Sequence, residues 1–218
     1  MADANSRTGQ TRYINPELLD WLNKLHAPHD AGLQAAFDAP TTTGIPAIQV
    51  GPSEGKLLTL FMKLVNAKKV VEVGTLAGYS AVRLVKGLPS DGHVWTCELE
   101  ERHAQIAREN ISKAGEAARV TVVVGRASDS LRGLEKEGPF DAVFIDADKG
   151  SYDVYGRWAA RNVRRGGLIL VDNAYYFGKL MEDTPEAAAV RRCHEEAAKE
   201  FDTVCIPTPD GLVVGIKK

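Results

Sequence analysis

From residue 70 onward, short apolar runs alternate with stretches of helical periodicity, and this alternation leaves the chain very few folds. The runs lie at residues 70–73, 93–97, 120–124, 142–145 and 168–171. Helical stretches at 80–86, 128–137 and 152–163 fall between them, as does one marked by Ala104, Ala107, Ile111 and Ala114 with Gly115 at its stop. The pattern predicts an α/β fold whose mainly parallel sheet is covered by helices on both faces. A further helix opens at Thr184-Pro185 and runs to about residue 200, with Pro185 at its first position. Two last strands, 204–206 and 212–216, are joined by a turn at 207–211. That turn is too short for a crossover helix, so the pair is expected to be an antiparallel hairpin.

The N-terminal part is less regular. Residues 1–14 read as a loose tail, and 16–26 and 30–38 as short helices set apart by Pro28 and ended by Pro40. Residues 41–51 read as loop. Leu57, Leu58, Phe61, Leu64 and Val65 then recur at helical spacing, with Asn66 at the C-cap position. The division expected is a tail and helical extension over 1–51 and one domain over 52–218, a usual size for a chain of 218 residues.

Charge narrows the function classes. There are 27 Lys plus Arg against 29 Asp plus Glu, a formal net charge of −2. This near balance removes the electrostatic case for a nucleic-acid partner. No apolar run approaches the ~20 residues that span a bilayer, and the polar start carries no secretory h-region. Cys97, Cys193 and Cys205 are odd in number and far apart, which predicts reduced thiols and a cytoplasmic location.

Two places carry chemistry. The first is V-V-E-V-G-T-L-A-G-Y-S at 70–80, between a strand and a helix. Gly74 and Gly78 let backbone approach a ligand closely. A dinucleotide fingerprint would have glycine where this chain has Glu72, whose carboxylate repels a pyrophosphate but suits a cationic or hydroxylated ligand. The loop thus reads as a site for a nucleoside without phosphate, or as a tight βα turn with no ligand. Glu98, at the end of the second strand, is placed to accept both ribose hydroxyls, or is a solvated acid beside Glu100 and Glu101. The second place is F-I-D-A-D-K at 144–149, followed by V-D-N at 171–173, each ending a strand. Should those strands be neighbours, Asp146, Asp172 and Asn173 converge into an all-oxygen set that suits Mg²⁺. Lys149 beside them is a candidate general base or an ordinary surface lysine. Tyr175, Tyr176 and Phe177 form either a flat wall for an aromatic substrate or the core of a long loop. His26 and His29 flank a helix-breaking Pro28 and form no metal site, while His103 and His194 are expected to face solvent. No G-x-S-x-G elbow or P-loop is present.

The motifs V-E-V-G-T-L-A-G-Y-S-A, F-I-D-A-D-K-G-S-Y, L-I-L-V-D-N and the closing P-D-G-L, in this order and spacing, resemble those of the class I S-adenosylmethionine-dependent, cation-dependent O-methyltransferases of the catechol and caffeoyl-CoA type. The similarity runs from about Pro52 to the C-terminus. It implies a Rossmann-like seven-stranded sheet, six strands parallel and the last antiparallel, with helices on both faces. It implies that Glu72, Gly74, Ser80 and Glu98 hold S-adenosylmethionine, with contacts from Val50 and Thr75, and with Ala127, Asp146 and Asp148 also on the cofactor. Asp146, Asp172 and Asn173 would bind Mg²⁺, or another divalent ion such as Mn²⁺ or Ca²⁺, and Lys149 would be the base. The implied acceptor is a vicinal dihydroxy aromatic, and the implied assembly a homodimer. Plant-type members follow D-A-D-K with an acidic and amide pair, where this chain has Gly150-Ser151. The alternative is a nicotinamide-dependent oxidoreductase, against which Glu72 and the terminal hairpin both argue. An N-methyltransferase would commonly carry an N-P-P-Y-like strand end in place of F-I-D-A-D.

Overall fold

A computed structural model describes residues 14–218. The tail expected over 1–14 lies, apart from Ile14, outside them. The sheet consists of β1 (Lys69–Val73), β2 (His93–Glu98), β3 (Val120–Val124), β4 (Phe140–Ile145), β5 (Val163–Val171), β6 (Phe201–Ile206) and β7 (Leu212–Lys217). Its order is β3-β2-β1-β4-β5-β7-β6. Strand β7 runs antiparallel to β5 and β6, and the other pairs are parallel. The terminal hairpin expected from the short turn is thus present, and it supplies the one reversed strand.

The apolar strands are explained by burial on both faces. Val70, Val94, Ala142, Phe144, Leu168 and Leu170 point to one side. There they meet α2 (Ala31–Thr43), α3 (Pro52–Leu64), α4 (Tyr79–Val85) and α5 (Glu101–Lys113) through Leu33, Met62, Val82 and Ile111. Their sequence neighbours Val71, Val143, Ile145, Ile169 and Val171 point to the other side. These pack on α6 (Ala127–Leu134), α7 (Tyr152–Asn162) and α8 (Pro185–Glu200) through Leu131, Trp158 and Val190. Each such side chain, taken out of water, contributes roughly 1.5–3 kcal/mol before chain entropy is subtracted.

The N-terminal helices depart from expectation at one point. Pro40 does not end α2, which continues to Thr43, so residues 41–43 are helix rather than loop. Proline removes the one backbone donor that would bond the carbonyl of Ala36, and the threonines beyond it turn their hydroxyls back onto the same helix. Thr43 Oγ1 donates to Ala39 O at 2.6 Å, and Thr42 Oγ1 to Asp38 O at 3.2 Å. Gly44, at φ +70°, makes the stop. Likewise Val65 is the C-cap of α3, and Asn66 follows it at φ +49°, a conformation asparagine tolerates. The start of α8 is as expected, with Thr184 Oγ1 accepting from Ala187 N at 3.2 Å. Helix α1 (Pro16–His26) buries no residue and exposes Leu18, Leu19, Trp21 and Leu25.

At the starts of the central strands, Asp141 acts as a clamp. Its Oδ2 accepts from Lys68 N at 2.7 Å and Lys69 N at 2.8 Å, and its Oδ1 pairs with Arg164 Nε. Cys97 and Cys193 are buried free thiols, and Cys205 is exposed. No helix among the described residues is long and apolar enough to cross a membrane.

Candidate active site

The chain moves outward from β1 in two directions, to β2 and β3 on one side and to β4 and β5 on the other. In open α/β sheets, ligands bind at such a switch, beyond the carboxyl ends of the strands. Here the ladder extends one residue past each strand. Gly74 N donates to Cys97 O at 3.0 Å, Asp146 N to Val73 O at 2.9 Å, and Asp172 N to Ile145 O at 3.0 Å. These bonds hold Gly74, Asp146 and Asp172 side by side. Gly74 has φ +98°, and a Cβ there would lie 1.9 Å from Asp146 O, so the crevice admits no side chain at this position.

On the β1–β2 side, Glu72 is fully buried. Its Oε2 accepts from Thr96 Oγ1 at 2.6 Å, and Thr96 Oγ1 meets Thr75 Oγ1. Glu72 Oε1 is buried and makes no hydrogen bond of good geometry, although Ser80 lies close enough to oppose the rise in its pKa. Burial pushes the Glu72 carboxyl up to about 8, and the charges of Asp146 and Glu98 add to the shift. A buried acceptor without a partner is costly, and a cationic donor on a ligand would satisfy it. Glu98 differs, because it is already engaged. Its Oε2 accepts from Leu76 N at 2.8 Å and Thr75 N at 3.2 Å, and its Oε1 from Glu100 N at 3.0 Å. These bonds aim the carboxylate across the loop. Leu76 is held at φ +51° in the same turn.

On the β4–β5 side, neighbouring parallel strands bring Asp146 next to Asp172-Asn173, as the sequence required for convergence. Burial, and next the Asp146 carboxylate, push Asp172 up to about 7, with Glu54 adding and Lys149 opposing. Asn173 sits at φ +52°. Lys149 Nζ donates to Asp146 Oδ1 at 3.2 Å, Ala147 O at 2.9 Å and Tyr152 Oη at 2.6 Å. Tyr152 Oη in turn donates to Asp172 O at 3.2 Å. Asp148 accepts from Tyr155 Oη. Among the described residues no three histidine, cysteine or acidic side chains gather as a metal cluster; the set at these strand ends has two acids and one amide. A buried acid whose pKa is raised by a neighbouring carboxylate suits a hard cation, which would relieve the repulsion.

The remaining candidates are placed as follows. Val50 is buried and, with Glu54, Leu58, Phe144, Asp172, Thr208 and Leu212, lines a cavity of about 10 Å³ beside Asp172. Ala127 begins α6, half-buried against the second core. The aromatic trio divides: the Tyr175 ring lies against Gly211, Tyr176 packs on the core, and Phe177 is 62% exposed. His103 and His194 do not face solvent freely, a correction. Both are half-buried; His103 Nδ1 is 3.7 Å from Glu98 Oε1, and His194 Nε2 is 2.9 Å from Ala174 O. Sequence reasoning missed Thr96, Tyr152, Tyr155 and Glu54. For Thr96 the usable signal was its position two residues before Glu98, on the same face of β2.

Similarity to known proteins identifies the family. The O-methyltransferase family model matches residues 33–218. A catechol O-methyltransferase of Niastella koreensis is 40% identical over 200 residues, covering 91% of this chain and 90% of that protein. One of Mycobacterium tuberculosis is 41% identical over 183 residues, covering 84% and 83%. The crystal structure of the O-methyltransferase from Bacillus cereus in complex with SAH superposes with a TM-score of 0.88 at 34% identity, covering 93% of this chain and 97% of that one. These likenesses do not favour the oxidoreductase alternative. The chain belongs to the O-methyltransferase family.

Proposed function

We propose that the protein transfers a methyl group from S-adenosylmethionine to one hydroxyl of a catechol-type acceptor, with help from a divalent cation. The observation that carries this reading is the pairing, across one strand boundary, of a fully buried carboxyl at Glu72 with a lysine bonded to one of two crowded acids. Glu72 would take the ammonium end of S-adenosylmethionine, aided by Ser80, while Gly74, Thr75 and Val50 would let backbone close around it. Glu98 would accept the ribose hydroxyls, and Ala127, Asp146 and Asp148 would flank the rest. When bound, S-adenosylmethionine supplies the electrophilic methyl. Asp146, Asp172 and Asn173 would hold Mg²⁺, or Mn²⁺ or Ca²⁺, which supplies Lewis acidity toward a hydroxyl.

Lys149 Nζ is the base of this scheme: it first gives up one ammonium proton to solvent, and its neutral amine then takes the proton that the acceptor hydroxyl loses. Its three partners hold that nitrogen within reach of Asp146. An oxygen-only set with positions left open suits two adjacent hydroxyls, and an exposed Phe177, in the loop that follows Asn173, would suit a flat ring. The names of the two catechol O-methyltransferase relatives support the same acceptor class. A homodimer in the cytoplasm goes with the reading, supported by the apolar residues that α1 exposes and by the free buried thiols.

The test is methyl transfer from labelled S-adenosylmethionine to a catechol and to its monohydroxy analogue, each with and without chelator. Catechol should be methylated far faster, and only without chelator. Comparable kcat/KM for the two acceptors, or full turnover in excess chelator, would overturn the reading.

A further inference from the structure

We infer that Tyr152 is a positioning residue for methyl transfer: its hydroxyl fixes the amine of Lys149 against the end of β5. The inference rests on the proposed role of Lys149 as base. It starts from a division within one side chain. The Tyr152 ring is fully buried in the second core, with Val171, Ala174, Val190 and Cys193. Its hydroxyl leaves that core and enters the site, accepting from Lys149 Nζ at 2.6 Å and donating to Asp172 O at 3.2 Å. The ring centroid lies 4.7 Å from the same nitrogen. A buried phenol needs one partner for its O–H; this one has two, and both belong to the candidate site.

The other two partners of Lys149 cannot do the same work. Ala147 O lies two residues away on the same loop, so it moves with the lysine. Asp146 is assigned to the cation, so its carboxylate is shared. Tyr152 begins α7, and its ring is locked by packing. A lysine side chain has four rotatable bonds and much rotamer freedom to lose, and a misplacement of about 1 Å at a reacting group costs on the order of a hundredfold in rate. Through Asp172 O, Tyr152 also ties the lysine to the strand end that carries Asp172 and Asn173. The hydroxyl therefore sets where Lys149 Nζ sits relative to both halves of the site. Its donated bond ends on a backbone carbonyl, which cannot take up a proton, so Tyr152 orients and does not relay.

Tyr152→Phe keeps the ring and removes the hydroxyl, and circular dichroism checks that the fold is kept. In the wild-type background, kcat for the catechol should fall about 10- to 100-fold, with acceptor KM and S-adenosylmethionine affinity within threefold. In a Lys149→Ala background the same change should cost less than twofold, because the group it positions is gone. A readout without turnover uses the protein free of cofactor and metal: Lys149 should be acylated several-fold faster by an amine reagent in Tyr152→Phe, read by mass spectrometry. A wild-type protein that does not methylate catechol, or a Lys149→Ala variant with unchanged kcat, contradicts the proposed function. If those hold, a Tyr152→Phe kcat within twofold of wild type, an equal loss in both backgrounds, or unchanged Lys149 acylation overturns the inference.

Discussion

At the start of β4, Asp141 accepts from two backbone N–H groups and pairs with Arg164. At the far ends of β4 and β5, Asp146 and Asp172 crowd each other with one lysine bonded to Asp146. The two sets of aspartates lie one strand length apart, and their energetics are opposite. Burial alone would raise Asp141, but the Arg164 hydrogen bond and the Lys69 and Lys68 N–H groups hold it below its ordinary value of 3.8. Burial and Asp146 instead push Asp172 up to about 7. A depressed carboxyl stabilises the fold above its unfolded pKa and loses that contribution as pH falls through the folded pKa. A raised carboxyl does the reverse, so the ionised Asp172 opposes folding above its unfolded value, fully so above about pH 7. One end of the sheet thus uses acid to hold strands together, and the other carries an acid whose ionised form opposes folding. Stability given up at a functional site is an expected trade.

The largest effect expected is at the crowded end. Lys149→Ala should lower kcat by about 10²–10⁴, with little change in S-adenosylmethionine affinity by calorimetry; a loss confined to KM would make the lysine a substrate-positioning group instead. On the β1–β2 side, Glu98→Ala should weaken S-adenosylmethionine binding by about ten- to a hundredfold, or roughly 1.5–3 kcal/mol, and calorimetry reads this directly. Stability then separates the two ends. Asp172→Asn should raise the stability of the metal-free protein at pH 8 by on the order of 1–3 kcal/mol, while abolishing turnover. That gain should shrink as pH falls through about 7 and vanish only below about pH 3, where Asp172 is protonated in the folded and unfolded states alike. Asp141→Asn should lower stability by about 1–2 kcal/mol at pH 7, allowing for a partner that is 38% exposed. Its effect should fade only in acid below about pH 4. Urea melts of the four combinations of variant and pH check both signs.

The strands and both carboxylate motifs were legible because they depend on period and position along the chain. Val120–Val124 is a run of β-branched residues and forms β3 with those bounds. Asp146 and Asp172 could be brought together on paper because strand ends face one side of a parallel sheet. What could not be read depends on register and on side-chain direction. Thr96 bonds Glu72 because the two are Cα partners across β1 and β2. Tyr152 read as the first residue of a helix, and nothing in its neighbours showed that its hydroxyl would turn back to Lys149. Pro40 read as a stop, but a proline costs the helix only one backbone bond, and the turn is not closed until Gly44 takes φ +70°.

The cation site proposed for the acids at the carboxyl ends of β4 and β5 can be tested alone. Titrating Mn²⁺ into metal-stripped protein, with free Mn²⁺ followed by electron paramagnetic resonance, tests this without any acceptor. One Mn²⁺ should bind per chain, be displaced by Mg²⁺ and be lost in Asp172→Asn. Free Mn²⁺ equal to added Mn²⁺ in the wild type, or the same binding in the variant, would contradict it.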